Sequence, residues 1–219
     1  MQMPENTSII KSFIPPFLFV IVIWLIKWAE ITFGFDLYKL GILPREISGL
    51  KGIISSPFIH GDLKHLLSNT SPVLVLSIGI LYFYRQKAWQ VISLISIFTG
   101  LLIWIFARGG TYHIGASGLI YGFAFFLFFS GIIKKIRSFM AISLLIIAFY
   151  GSMLWGILPG EEGISWEAHL FGAITGSLVA FLYRKHGPQP PEKPDWMNEK
   201  DNSADIPHIS DYKKMPLED

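Results

Sequence analysis

An all-α polytopic membrane protein, built as a bundle of six transmembrane helices, is the fold class predicted by this 219-residue sequence. Three observations predict it. The chain is 52% hydrophobic and only 16% charged, which is far from the balance of a soluble domain. Its apolar residues fall in separate blocks, each roughly the 17–25 residues that cross a bilayer. Basic residues collect on alternate connections between those blocks, as the charge asymmetry of membrane insertion requires. Composition also limits the chemistry. With no cysteine there is no disulfide, no thiolate metal site and no cysteine nucleophile, and a formal net charge of +2 gives no footprint for nucleic acid.

The first block runs from about Ile9 to Ile26, with Lys11 and Pro15-Pro16 inside it. It has no small-residue cleavage site and further blocks follow, so it reads as a retained first span. Lys27, Trp28 and Glu30 mark its expected interfacial end. A long connection follows, Asp36 to Asp62. It is too apolar to lie free in water and is expected to be partly helical in the interface. The remaining spans are predicted at about His65–Tyr84, Trp89–Phe106, Ile114–Ile133, Phe139–Leu158 and Glu167–Tyr183, the last one short.

Arg85 and Lys87 follow the second span, Lys134, Lys135 and Arg137 the fourth, and Arg184 and Lys185 the sixth. Across the membrane, Glu161 and Glu162 stand without a base and the loop after the third span has only Arg108; the long first loop is the exception, with Lys39, Arg45 and Lys51 beside Asp36, Glu46 and Asp62. Both termini are therefore expected to be cytoplasmic. From Gly187 onward prolines, acids and small polar residues dominate. The expected division is a membrane domain over residues 1–186 and a disordered cytoplasmic tail over 187–219.

With that orientation the second, fourth and sixth spans all begin on the outer side, and their first turns hold His65 and Asn69, Ser117, and His169. Strongly polar groups within spans are functional candidates. Ser117 sits in Gly115-Ala116-Ser117-Gly118, where glycine permits a sharp turn and close helix approach. His65 and Asn69, four residues apart, share one helical face and both donate hydrogen bonds, as an oxyanion site needs. Helix glue is their plainer use. Gly172 and Gly176 offer a small-residue face to Gly118 and Gly122, and packing there brings His169 toward Ser117 as a general base. Tyr121, one turn beyond Ser117, is positioned to hold the imidazole or simply to pack. No acid is read within a span near His169 to orient it, so a Ser–His dyad fits better than a triad. His60 precedes the second span and reads as a supporting residue. Metal ligation by His65, His169 and His113 is the competing use, but the spacing of a catalytic zinc motif is absent.

His65-x-x-x-Asn69, Gly115-Ala116-Ser117-Gly118 with Tyr121, and His169-x-x-Gly172-x-x-x-Gly176 together resemble the rhomboid intramembrane serine proteases, and residues 56–62 look like that family's run before its second helix. The resemblance covers the first span through the sixth. It implies a six-helix core, catalytic Ser117 and His169, and an oxyanion site from His65, Asn69 and the Ser117 N–H. It further implies single-span transmembrane substrates cut near the outer face, contact with membrane lipid, no nucleic-acid partner, no metal and no cofactor. The expected location is a bacterial inner membrane, as a multi-pass protein. A rhomboid-like pseudoenzyme that binds transmembrane helices without cutting them is the alternative. One departure concerns the first loop, where the Trp-Arg pair of many members is missing between Asp36 and Ile59.

Overall fold

The computed structural model describes residues 6–149, 158 and 165–188. Helices make up nearly all of the regular structure there, with one isolated antiparallel bridge between Ile42 and His113. Helix α1 spans Asn6–Phe33 and passes through Pro15 and Pro16 without a break. The two missing N–H donors are tolerable because membrane helices re-satisfy freed carbonyls locally. The expected end near Ile26 is corrected. The helix continues past Lys27, which is buried, its ammonium donating to Glu30 and, at 2.9 Å each, to the carbonyls of His60 and Gly61.

The first loop is partly helical, as expected. It contains turns at Tyr38–Leu40, Ile47–Gly49 and Ser56–Phe58 and the single-turn helix α2, Gly52–Ser55. Ile42, Pro57 and Ile59 are buried, whereas Ile47 and Ile54 are 84% and 76% exposed. Arg45, at φ 62°, stands where a side chain rarely does. Its guanidinium reaches the carbonyls of Ala107 at 2.7 Å and Ile105 at 3.3 Å, and Trp104 Nε1 donates to the Glu46 carbonyl at 2.8 Å. A loop arginine and a helix tryptophan thus fix the loop to the end of the next-but-one helix.

The remaining helices are α3 (Leu63–Phe83), α4 (Ala88–Phe106), α5 (Ser117–Lys134), α6 (Arg137–Phe149) and α7 (Trp166–Leu182). α1, α3, α4 and α5 are long and apolar enough to cross a membrane, and α7, at 17 residues, is shorter. At 1.5 Å per residue α7 covers about 25 Å of a hydrocarbon core of about 30 Å. Helix α5 starts at Ser117, not at Ile114 as expected, because Gly115 at φ 105° cannot be part of an α-helix. The second half of the expected fifth span, the loop with Glu161 and Glu162, and the tail from Gln189 lie outside the described residues.

Helices α5 and α7 make the most extensive helix contact. A Cβ on Gly172 would collide with the Gly118 carbonyl and sit 3.2 Å from the Gly122 nitrogen; one on Gly176 would collide with the Gly122 carbonyl. The backbones touch because neither side has a side chain to keep them apart. Leu76, Ile80, Ile95, Phe126, Leu127 and Val179 form the core below this contact.

Candidate active site

Three helices, α3, α5 and α7, bring polar side chains toward the N-terminal turns of α5. Gly115 turns the chain at φ 105°, Ala116 is the N-cap residue, and Ser117 is the first helical residue. The leading N–H groups of a helix have no intrahelical partner and carry the positive end of its dipole, so Ser117 stands at a point that favours negative charge. The Gly115 nitrogen donates to the Ser56 carbonyl at 2.9 Å, fixing the turn against the first loop.

Asp62 starts α3 by accepting from the His65 nitrogen at 2.8 Å, and this bond holds its carboxyl below the usual range. The cap sets His65 and Asn69 on the face toward Gly115. A Cβ on Gly115 would lie 2.6 Å from His65 Nε2 and 3.7 Å from Asn69 Nδ2. Glycine is needed there both for its φ and for this space. Asn69 is 4% exposed, and its Nδ2 has no hydrogen-bond partner among the described residues. A buried donor left unpaired costs about 1–3 kcal/mol.

His169 arrives from α7. Its ring stacks on Tyr121, with centroids 4.2 Å apart and planes 9° apart. Tyr121 is one turn after Ser117, so the imidazole lies along the face of α5 that carries the serine. The Ala168 carbonyl is 3.3 Å from where a Gly118 Cβ would be, so the start of α7 is pressed against the start of α5. Ser117, His65 and His169 are half-buried.

His60, outside α3, is 2% exposed and packs edge-on against His65 at 5.1 Å. Burial, assisted by the neighbouring His65, pushes its imidazole down to about 4, so it is neutral at pH 7.

A rhomboid domain model matches residues 48–186, which include every one of these side chains. The chain belongs to the rhomboid family. It is 34% identical to an uncharacterized protein of Mycobacterium tuberculosis over 172 residues, 75% of this chain and 72% of that protein. An uncharacterized protein of Mycobacterium leprae is 33% identical over 75% of this chain and 68% of its own length. RHOMBOID-like protein 4 of Arabidopsis thaliana is 25% identical over 71% of this chain and 38% of its own. Rhomboid membership and the long apolar helices together make this a multi-pass integral membrane protein.

One set of residues beside this rhomboid site went unseen. Glu167, in the first turn of α7, is 3% exposed. Its Oε1 accepts from the Arg108 nitrogen and faces Arg108 Nε, both at 3.4 Å. Residues two apart on a helix do not face each other, and Glu167 Oε2 has no hydrogen-bond partner among the described residues. His113, considered only as a ligand, has both ring nitrogens engaged by Ser165 and the Arg108 carbonyl. No three His, Asp or Glu side chains cluster as metal ligands among the described residues.

Proposed function

We propose that this rhomboid is an active intramembrane serine endopeptidase that cuts single-span transmembrane proteins near the outer membrane face. Ser117 Oγ attacks the scissile carbonyl carbon while His169 takes its proton. The resulting oxyanion accepts hydrogen bonds from Asn69, His65 and the Ser117 N–H. His169 then returns the proton to the leaving amine, leaving an acyl-serine. Water, deprotonated by the same imidazole, hydrolyses the ester and frees Ser117. Tyr121 holds the imidazole plane, and Gly115, Gly118, Gly172 and Gly176 are the small residues that let the three helices close on one another.

The observation that carries this reading is the Asn69 amide, buried yet without an acceptor beside the turn that leads to Ser117. Buried polar side chains in native structures are mostly paired, which makes an unpaired amide beside this turn a candidate donor. A donor that serves a transition state is unpaired at rest, because its acceptor arrives with the substrate.

The same reading takes the chain through the membrane six times, with both termini cytoplasmic. An intact transmembrane helix hides its carbonyls in backbone bonds, so the preferred substrates carry helix-weakening residues near the cut. The test is reconstitution in liposomes with a model transmembrane substrate and a fluorophosphonate probe. Wild-type protein is expected to cleave and to be labelled, and Ser117→Ala to do neither while remaining folded. Cleavage by Ser117→Ala would refute the assignment, and absence of both activities from folded wild type would leave a helix-binding rhomboid pseudoenzyme.

A further inference from the structure

The loop that carries Ser117 is joined to the helix that carries His169 by contacts outside the site described above. His113 lies four residues before Ser117 and is 2% exposed. Its main chain exchanges two hydrogen bonds with Ile42 of the first loop, at 2.8 and 2.9 Å. Its ring spans the two sides of the junction: Nδ1 is 2.5 Å from Ser165 Oγ and Nε2 is 3.2 Å from the Arg108 carbonyl. A carbonyl only accepts, so Nε2 carries the proton and Nδ1 accepts from the serine hydroxyl. Burial lowers the His113 pKa, which keeps the ring in this neutral form.

Ser165 is the N-cap residue of α7, yet its hydroxyl makes no capping bond to its own helix. Serine in that position ordinarily accepts from a backbone N–H two or three residues on. Here the hydroxyl is given to His113 instead. The Ser165 carbonyl still opens the helix, accepting from Ala168 at 3.1 Å and from His169 itself at 3.4 Å. One continuous path of bonds therefore runs from the Ser117 loop through His113 to the backbone of His169. Arg108 and Glu167 make the same crossing a second time.

We propose that His113 and Ser165 are positioning residues that set the separation of Ser117 and His169 by tying the α4–α5 loop to the first turn of α7. This rests on the serine–histidine reading above. A serine–histidine pair is sensitive to such a tie, since a displacement of about 1 Å can cost about 10²-fold in rate.

The test uses the full-length protein in liposomes and measures kcat, KM and the second-order rate of fluorophosphonate labelling, each scaled to the folded fraction. Ser165→Ala and His113→Ala are expected to lower kcat and labelling about 10- to 100-fold with KM nearly unchanged. His113→Asn is the rescue variant, because an asparagine Oδ1 overlaps the imidazole Nδ1 and still accepts from Ser165. It is expected to recover most of the labelling rate. All three variants keep the main-chain bridge to Ile42. If wild type is labelled but losses stay under about fivefold, appear in KM, or are not relieved by asparagine, His113 and Ser165 are packing residues and the proposal fails. If Ser117→Ala cleaves as wild type does, the serine–histidine reading itself fails, which is a separate result.

Discussion

Replacing Gly172 by alanine adds one methyl group, and the structure sets two effects against each other. Alanine is the better helix former by about 1 kcal/mol. Against this, the new Cβ meets the Gly118 carbonyl in collision, the Gly118 carbonyl carbon at 3.1 Å and the Gly122 nitrogen at 3.2 Å. All three are backbone atoms of α5, and a backbone cannot swing aside as a side-chain tip does. Overpacking of this kind costs about 1–3 kcal/mol. The clash therefore wins, and the helices separate rather than unfold. Because Gly172 is one turn after His169, the separation opens at the site, and kcat is expected to fall by about 10²-fold while the melting temperature drops by only a few degrees. Gly79→Ala is the control. Its Cβ meets only the Leu127 δ-methyl, at 3.3 Å, and the propensity gain offsets that contact, so activity and melting should stay near wild type. Melting in detergent and cleavage of a transmembrane substrate on the same preparations decide it. Gly172→Ala with wild-type kcat would show that the α5–α7 contact does not set the geometry of the site.

Asn69→Ala is expected to lower kcat by about 10²–10³, roughly 2.7–4 kcal/mol, without lowering the melting temperature, since it removes a buried donor that has no ground-state partner. A lower melting temperature with normal kcat would make Asn69 structural. His60 predicts a pH dependence of stability. Its pKa falls from 6.5 unfolded to about 4 folded, so the unfolded state binds the extra proton, and stability is complete above pH 6.5 and lost as pH falls toward 4. The loss reaches about 3 kcal/mol, and His60→Leu should flatten that part of the melting-versus-pH curve; an unchanged slope would assign it to other groups. Topology is tested in the naturally cysteine-free chain. Ser203→Cys should be shielded from impermeant reagents in intact cells and Gly163→Cys labelled, and the reverse would put Ser117 on the cytoplasmic side.

Four spans, α1, α3, α4 and α5, were legible because length and apolarity alone report them, and no other element competes for a run of that kind. Their ends were less so. Ile114 is apolar and looked like the start of a span, but the helix cannot begin before the left-handed Gly115, and dihedral demands are invisible in hydropathy. Lys27 looked like the end of a span because its partners, the His60 and Gly61 carbonyls, lie more than 30 residues away. The approach of His65 and Asn69 to Gly115, and of His169 to Tyr121, was legible for a different reason. Helical period puts each on a defined face, and the facing glycines specify which helices close. The tie between His113 and Ser165 crosses 52 residues and that between Arg108 and Glu167 crosses 59, with no local pattern to announce either.

The His113–Ser165 pair and the Asn69 amide differ in whether each has a partner at rest. In a low-dielectric interior a satisfied group holds structure and an unsatisfied one costs stability, so the fold tolerates the second only under constraint from its surroundings. His113 and Ser165 are satisfied, by each other and by main chain, and they bridge segments that must not move relative to one another. The Asn69 amide is unsatisfied, and it stands beside the empty Cβ position of Gly115 against which α3 rests. Filling that position would push the His65 ring away, while Asn69 Nδ2 would stay in ordinary contact at 3.7 Å. The same glycine that turns the chain into Ser117 therefore keeps the His65 ring close to it, and the two needs cannot be met by any residue with a side chain.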